Sequence, residues 1–135
     1  MPTVTWRDEY SVNVKEIDVQ HQKMLELVND LHSAVEACVD KNSLQNLLVE
    51  LVDFTHTHFS DEELLMKKYD YPEFGEHHKE HKILLKHMSD LVVAVSNGKY
   101  PTFYSDYDVS SDWAITHISE YDSDLGAFLN TKKVY

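Results

Sequence analysis

Four long stretches of the chain repeat apolar residues every three or four positions. In the first stretch, Leu25, Val28, Leu31 and Val35 share one face, because this spacing matches the helical period. The same pattern predicts helices over about 19–38, 42–68, 73–96 and 105–125. Residues 1–17 lack it and are predicted to form an irregular N-terminal arm. The sequence therefore predicts an all-α fold, an antiparallel up-down-up-down four-helix bundle.

Residues with capping preferences mark three of the predicted helix ends. Asp18 is predicted to be the N-cap of the first helix, because its carboxylate can accept hydrogen bonds from the first turn. Asn97 and Gly98 follow the third helix, and Gly126 follows the fourth. Such residues commonly end a helix in the left-handed conformation. The pattern thus predicts a fourth helix that stops near Leu125.

The length, charge and cysteine content narrow the class of protein. The 135 residues suit a single domain, 1–135, with one core. A formal net charge of -12 predicts no binding to nucleic acid or to an anionic membrane surface, because both would repel the chain. Cys38, the only cysteine, excludes an internal disulfide. It lies on the first helical pattern and is predicted to be a small buried residue.

The chain shows no sign of export or membrane insertion. Its N-terminus lacks the basic and apolar regions of a signal peptide. No stretch approaches the roughly 18 consecutive apolar residues of a membrane span. We therefore expect no membrane association and a cytoplasmic location.

Nine histidines make the composition unusual, since imidazole is the commonest metal ligand in proteins. His58 and Glu62 lie four positions apart, on the predicted apolar face of the second helix. His77 and His81 repeat this spacing on the apolar face of the third helix. Burying such groups without partners costs several kcal/mol, on the order of 2–7 for a polar group. They are therefore predicted to face each other or a metal.

The first and fourth helices add three more polar residues to the same end of the bundle. His21 lies near the start of the first helix, on its apolar face. His117 and Asp122 flank an apolar seam near the end of the fourth helix, five positions apart, which is a rotation of about 140°. In an antiparallel bundle, the starts of helices one and three lie beside the ends of helices two and four. Seven polar side chains are therefore predicted to converge at one level.

A single inward histidine is more often a core residue than a ligand, but agreement of five histidines and two carboxylates in face and level favours a metal site. The other four histidines are predicted not to be ligands. His56, His78 and His87 point away from the shared face. His32 shares the face of His21, but lies about 16 Å further along the helix.

The number of candidate ligands indicates which metal centre they could hold. Seven ligands are too many for one tetrahedral zinc and too few for two octahedral metals. The number of ligands is right for two non-haem iron ions that are joined by an oxo or hydroxo bridge and by two bridging carboxylates. One iron then has three histidines and six ligands, and the other has two histidines and a vacant position.

Four segments of the sequence resemble the hemerythrins, particularly the single-domain bacterial ones. These segments are IDVQH (17–21), HFSDEELLM (58–66), HHKEH (77–81) and WAITHISEYD (113–122). The resemblance implies a role for each candidate ligand. The saturated iron would be held by His77, His81 and His117, the open iron by His21 and His58, and both irons by the bridging residues Glu62 and Asp122.

The resemblance also implies reversible binding of dioxygen at the open iron, as a hydroperoxide, in a carrier, storage or delivery protein that is not an enzyme. Trp113, Ala114 and Ile118 match positions that line the dioxygen pocket in the family. Ala114 stands where many hemerythrins carry leucine. We expect the smaller side chain to admit solvent and small anions, so that the oxygenated form autoxidises faster.

Two alternatives use the same centre. The first is a di-iron enzyme with peroxidase activity, or one that scavenges nitric oxide or oxygen. Tyr121 is the one nearby group in the sequence that could donate a proton, although packing explains its position equally well. The second alternative is an oxygen sensor. No protein partner can be predicted from the sequence.

Overall fold

The computed structural model describes residues 5–99 and 116–135, and these residues form helices without any β-strand. Three long helices are α1, α2 and α3, with bounds Lys15–Glu36, Lys41–Lys68 and Phe74–Ser96. A π-helical turn, Ile118–Asp122, then leads directly into α4, Ser123–Thr131. The arm contains a short 3-10 helix, Asp8–Tyr10. Helix α2 packs against both α1 and α3, and short connections join the three helices. The predicted all-helical bundle is confirmed.

The first two helices begin earlier than the sequence predicts. Helix α1 starts at Lys15, so the prediction that Asp18 is its N-cap is wrong. Asp18 lies in the first turn instead, where its carboxylate accepts hydrogen bonds from the Ser11 hydroxyl (2.5 Å) and the Val12 backbone N–H (2.8 Å). It therefore fastens the arm to α1. The N-cap of α2 is Asp40, whose carboxylate accepts from the backbone N–H of Ser43 (2.8 Å).

The two predicted glycine stops have different outcomes. Helix α3 ends before Asn97, and Gly98 follows with φ of 82°, as predicted. The prediction for Gly126 is wrong, because the last helix continues through it to Thr131. A Cβ atom on Gly126 would lie only 2.2 Å from the backbone oxygen of Val12. Gly126 thus provides the space in which the N-terminal arm crosses α4.

Two apolar clusters lie on either side of a polar layer, which is formed by the buried side chains of His21, His58, Glu62, His77, His81, His117 and Asp122. The larger fills the bundle between α1, α2 and α3, and it includes Leu31, Leu48 and Phe59. The smaller is built where the arm covers the opposite end, and it includes Val12, Val14, Ile17, Met66, Tyr71, Leu125 and Leu129. Every one of these side chains is at least nine-tenths buried. The polar layer between the clusters is therefore enclosed by apolar side chains at both ends of the bundle.

Cys38 is exposed, so the prediction of a buried cysteine is wrong. Helix α1 ends at Glu36, and Cys38 lies in the following turn with φ of 53°. The helical face that would have buried its side chain is absent there. Among the helices of the described residues, none is both long enough and apolar enough to cross a membrane.

Candidate metal centre

The polar layer consists of the seven residues that the sequence predicts to converge. Their exposed fractions range from 0% to 4%. Helix α1 contributes one residue, α2 and α3 contribute two each, and the last helical segment contributes two. These residues are His21, His58, Glu62, His77, His81, His117 and Asp122. The structure therefore brings together all seven side chains.

A π-helical turn explains the five-residue spacing in the last segment. The backbone N–H of Ser123 donates to the carbonyl of Ile118, an i to i+5 hydrogen bond in place of the i to i+4 bond of an α-helix. The extra residue in this turn brings the side chains of His117 and Asp122 to the same side. Their Nε2 and Oδ1 atoms are 3.1 Å apart. Such turns inside α-helices are frequent at functional sites.

The inward atoms form two overlapping groups that could each hold one ion. In each group, all candidate ligand atoms lie within 4.8 Å of one another. The first group consists of Glu62, His77, His81, His117 and Asp122, and the second of His21, His58, Glu62 and Asp122. Only the two carboxylates belong to both groups.

Glu62 divides its two oxygens between the groups. Oε1 lies 3.1 Å from Nε2 of His81 and 3.5 Å from Nε2 of His77. Oε2 lies 3.2 Å from Nε2 of His58 and 3.7 Å from Nε2 of His21. One oxygen thus faces the first group and the other faces the second. Glu62 therefore offers one oxygen to each group of candidate ligand atoms.

Asp122 divides its oxygens in the same way. Oδ1 lies 3.0 Å from Nε2 of His77 and 3.1 Å from Nε2 of His117, in the first group. Oδ2 lies 2.8 Å from Nε2 of His21, in the second group. Metal bonds of about 2.0–2.2 Å place neighbouring ligand atoms around 3 Å apart. The separations at Asp122 match that value, whereas those at Glu62 range from 3.1 to 3.7 Å.

The buried atoms of the centre lack the hydrogen bonds that buried polar atoms normally form. Within the described residues, the Nε2 atoms of the five histidines and the four oxygens of Glu62 and Asp122 contact only one another and have no hydrogen-bond partner outside the centre. Such a concentration of buried polar groups with no outside partner is unfavourable in an apolar core. Metal ions would satisfy all of them at once, so the residues present fit a pair of ions.

The charges of the centre show how it behaves without metal. Burial lowers the pKa of His21, but Asp122 and Glu62 outweigh burial and raise this pKa to about 9. The pKa of His77 is likewise raised to about 9 against the effect of burial. Burial raises the pKa of Glu62, but the surrounding imidazoles, His58 above all, bring it well below its usual range. Without metal, protons on the histidines therefore balance the two carboxylates.

Comparison with known proteins decides the family. The family model described as the Hemerythrin HHE cation binding domain matches residues 12–129. The chain belongs to the hemerythrin family. The fold agrees: a wild-type hemerythrin crystal structure is 29% identical, covers 93% of this chain and 97% of its own, and has a TM-score of 0.82. A hemerythrin mutant structure reaches the same TM-score at 30% identity.

Bacterial members of the family are similar along much of the sequence. The bacteriohemerythrin of Methylococcus capsulatus is 30% identical over 131 residues, which cover 96% of this chain and 99% of that protein. The bacteriohemerythrins of Stenotrophomonas maltophilia and Pseudomonas aeruginosa are each 30% identical, over 67% and 73% of this chain. The matched regions span 58% and 64% of those two relatives, less than two thirds of their lengths.

Behind the centre of this hemerythrin domain, His58 is held by a neutral side chain. Its Nδ1 atom lies 2.5 Å from Oε1 of Gln20, and Nε2 of Gln20 donates to the Asp61 carboxylate at 2.9 Å. Because the carboxylate only accepts, Gln20 must present its oxygen to His58. The Nδ1 atom of His58 therefore carries the proton, and its Nε2 lone pair faces the centre.

His81 is held by a charged side chain instead. Its Nδ1 atom donates to Oε2 of Glu63 at 3.0 Å. The other oxygen of Glu63 contacts Nδ1 of His78, a half-exposed residue whose ring stacks on Phe74 at 5.5 Å with planes 9° apart. Glu63 therefore connects a buried imidazole of the centre to a surface imidazole.

Aromatic rings pack against the imidazoles of the centre. Phe59 is buried and stacks on His81, with ring centroids 3.8 Å apart and planes 6° apart. Tyr121 stacks on His117 at 5.5 Å and lies 5.7 Å from His77. Tyr121 therefore lies beside the three-histidine group and not beside His21 and His58. Phe59 helps to keep the interior of the centre dry.

The other four histidines and the residues predicted to line a dioxygen pocket lie at different places in the structure. His56 is exposed and His32 is buried outside the centre, so neither belongs to either group of candidate ligand atoms. His78 and His87 are also outside both groups. Ile118 is buried with 2% exposure, in the turn that carries the last two residues of the centre. The other two residues predicted to line a dioxygen pocket, Trp113 and Ala114, lie outside the described residues.

The sequence pattern alone did not identify Gln20 and Glu63 as partners of the imidazole N–H groups. A signal for both exists in the sequence. Gln20 directly precedes His21, and Glu63 directly follows Glu62. A neighbouring position is rotated by about 100° on a helix and so points toward the adjoining helix. A partly buried polar residue beside a ligand is therefore a candidate partner for a ligand on that neighbouring helix.

Proposed function

We propose that this protein binds dioxygen reversibly at a di-iron centre held by the seven residues of the polar layer. The observation that carries the proposal is the division of the Glu62 and Asp122 oxygens between a three-histidine group and a two-histidine group. Imidazole-rich sets of nitrogen and oxygen donors suit iron. Membership of the hemerythrin family supports the same assignment.

The two positions differ in how many protein ligands they offer. The first group offers five residues and the second offers four. An oxo or hydroxo bridge would raise these numbers to six and five. The first position would then be saturated, and the second, beside His21 and His58, would keep one place open for dioxygen. Two ferrous ions, two carboxylates and one hydroxide leave a charge of about +1, which the outer hydrogen bonds help to accommodate.

The iron pair would supply the electrons and the open coordination position that reversible dioxygen binding needs. The chain contributes the surroundings. Phe59 and Ile118 are buried beside the centre and exclude water from it. Gln20 orients the imidazole of His58, on the open side. A dry pocket prevents protonation of the bound ligand, so that it leaves as dioxygen and not as peroxide. Trp113 and Ala114 are proposed to complete the pocket.

The position of Tyr121 favours binding over enzymatic turnover. A peroxidase needs an acid near the open position, and Tyr121 was the candidate in the sequence. Its ring instead contacts His77 and His117, the ligands of the saturated position. Its pKa is raised, by the charge of Glu80 first and by burial second, which makes it a weaker acid. We therefore propose a carrier, storage or delivery protein, and not an enzyme.

Single-turnover and steady-state measurements separate the two functions. The iron-loaded, reduced protein is exposed to dioxygen and then to an oxygen-free atmosphere, and the absorption of the oxygenated form is followed. We expect the band to appear and disappear over repeated cycles, with negligible turnover of peroxide in the presence of a reductant. Sustained peroxide turnover would contradict the proposal, and its loss in Tyr121→Phe would identify Tyr121 as the acid.

A further inference from the structure

The outer partners of the imidazoles are unequal on the two sides of the centre. Within the described residues, the Nδ1 atoms of His21, His77 and His117 have no hydrogen-bond partner. The Nδ1 atom of His58 has a neutral amide as its partner, and that of His81 has a carboxylate. One side of the centre is thus tied to an uncharged group and the other to an anion.

We propose that Glu63 is a positioning residue that makes the two metal positions electronically unequal, because the charged Glu63 strengthens His81 as a metal ligand more than the neutral Gln20 strengthens His58. This inference rests on the proposed di-iron centre. It assigns to Glu63 a control over which metal ion loses an electron more readily. Glu63 does so through His81, since its own oxygens contact only Nδ1 atoms.

The charge of the acceptor determines how strongly the imidazole of His81 is polarised. A hydrogen bond to a carboxylate is roughly twice as strong as one between neutral groups. It draws the Nδ1 proton of His81 toward Glu63 and increases the electron density at Nε2, the atom that faces the centre. A more basic ligand favours ferric over ferrous iron. The position that includes His81 should therefore have the lower reduction potential.

On the side of His58, the nearest carboxylate in this chain of contacts, that of Asp61, does not contact the imidazole directly. Asp61 contacts Gln20 and not His58, so an amide separates the carboxylate from the imidazole. Gln20 fixes the ring of His58 in the same tautomer as that of His81, but without the charge. Both rings are therefore equally well oriented. The acceptors of the two Nδ1 protons differ in charge, since His81 has a carboxylate and His58 an amide.

His78 fixes the side chain of Glu63 from the solvent side. Glu63 is 17% exposed and the His78 side chain is 43% exposed. One oxygen of Glu63 contacts His78 and the other contacts His81, so both carboxylate oxygens have an imidazole partner. The stack of His78 on Phe74 keeps the surface imidazole in place. Glu63 is consequently held against His81 and not free to turn toward water.

The test uses three variants of the iron-loaded protein. Glu63→Gln removes the charge from the partner of His81. The double variant Gln20→Glu with Asp61→Asn moves a charge onto the partner of His58 and leaves the net charge unchanged. Glu50→Gln is the control, because it removes one exposed carboxylate from the same helix, about 18 Å along the axis from Glu62. The two one-electron reductions are followed by spectroelectrochemical titration.

The inference predicts a selective effect on one of the two steps. Glu63→Gln should change the ratio of ferric to ferrous affinity at one position by about 10-fold, which raises that potential by about 59 mV. The double variant should lower the other potential and bring the two steps closer together. Glu50→Gln should move neither. Equal shifts of both steps in Glu63→Gln, or a shift no larger than in Glu50→Gln, would overturn the inference.

A measurement on the unaltered protein makes the test independent of how the variants fold. In the zinc-loaded protein, nuclear magnetic resonance should detect slowly exchanging Nδ1 protons on His58 and His81, with the His81 proton further downfield. Equal shifts for the two protons would overturn the role of Glu63 alone. Fewer than two metal ions per chain, in zinc- and iron-loaded samples alike, would overturn both this inference and the proposed function.

Discussion

Glu62 places Oε1 at 3.1 Å from Nε2 of His81 and Oε2 at 3.2 Å from Nε2 of His58. His81 lies on α3 and His58 on α2, one turn before Glu62 itself. A single carboxylate therefore faces both sides of the centre at nearly equal distances. The loss of one of these oxygens as a ligand should therefore weaken one of the two metal positions.

Replacing Glu62 with glutamine should prevent the binding of two metal ions. The amide keeps the shape of the side chain, but its NH₂ group cannot coordinate a metal, so only one group retains this ligand. We expect the second ion to bind at least about 100-fold more weakly. Loss of a residue that only supports a ligand costs about 10–100-fold in metal affinity, and loss of a ligand itself should cost at least the upper value. Metal content after dialysis against iron measures this directly. The control variant Glu50→Gln, on the same helix, should retain two ions. Loss of an ion in this control would contradict the account.

The stability of the metal-free protein should fall between pH 6.5 and pH 9. The pKa values of His21 and His77 are raised to about 9 in the folded state from 6.5 in the unfolded state. Their paired protons therefore stabilise the fold fully below pH 6.5, and this contribution is lost as the pH rises to about 9. We expect the free energy of unfolding in urea to fall by at least ~1 kcal/mol across this range.

The metal-loaded protein should not show this loss, because its imidazoles are held by metal and not by protons. Urea unfolding of both forms at the two pH values provides the comparison. A metal-free protein that is equally stable at pH 9, or more stable there, would contradict the described balance of charges.

Two glycine substitutions should have opposite effects on stability. Gly126→Ala places a Cβ atom 2.2 Å from the backbone oxygen of Val12, so the N-terminal arm must move. We expect a destabilisation of about 1–3 kcal/mol. Gly75→Ala is the matched control, because nothing lies within 4 Å of its Cβ position in α3, and it should be neutral or stabilising by about 0.4–1 kcal/mol. Thermal unfolding that ranks the two variants in the reverse order would contradict the position of the arm.

Ala114→Leu should lengthen the lifetime of the oxygenated form. The family resemblance implies that this position lines the dioxygen pocket, and a larger side chain there would hinder the entry of water and small anions. We expect autoxidation to slow, measured as the decay of the oxygenated absorption band in air. An unchanged or faster decay would show that Ala114 does not control access to the centre.

The spacing of ligands along the helices made most of the centre predictable. His58 and Glu62, and likewise His77 and His81, are four positions apart, and that interval fixes a shared face in any α-helix. Their convergence at one end then followed from the antiparallel order of the helices. The structure places all of them in one buried layer.

The geometry around Asp122 could not be predicted in the same way. An α-helix rotates Asp122 away from His117, and only the π-helical turn at Ile118–Asp122 aligns them. The turn lets both side chains face the centre, and this convergence involves the assembled bundle and not the local sequence alone. A constant α-helical period therefore predicted that His117 and Asp122 flank a seam, whereas in the structure both face the centre.

The ends of the helices were the least predictable feature of the fold. Asp18 and Gly126 have the residue types of helix caps, but each serves the N-terminal arm instead. Asp18 binds the arm by hydrogen bonds to Ser11 and Val12, and Gly126 gives it room to cross α4. Tertiary contacts of an irregular segment leave no periodic trace in the sequence, so local preference gave the wrong role to both residues.

The most direct test of the central claim is a titration of the reduced, iron-loaded protein with dioxygen, combined with the iron content per chain. The account predicts two irons per chain, in keeping with the two groups of ligand atoms, and one dioxygen bound for each iron pair. Removal of the gas should restore the reduced spectrum. A protein that holds a single zinc ion, or one that consumes dioxygen without releasing it, would contradict the account.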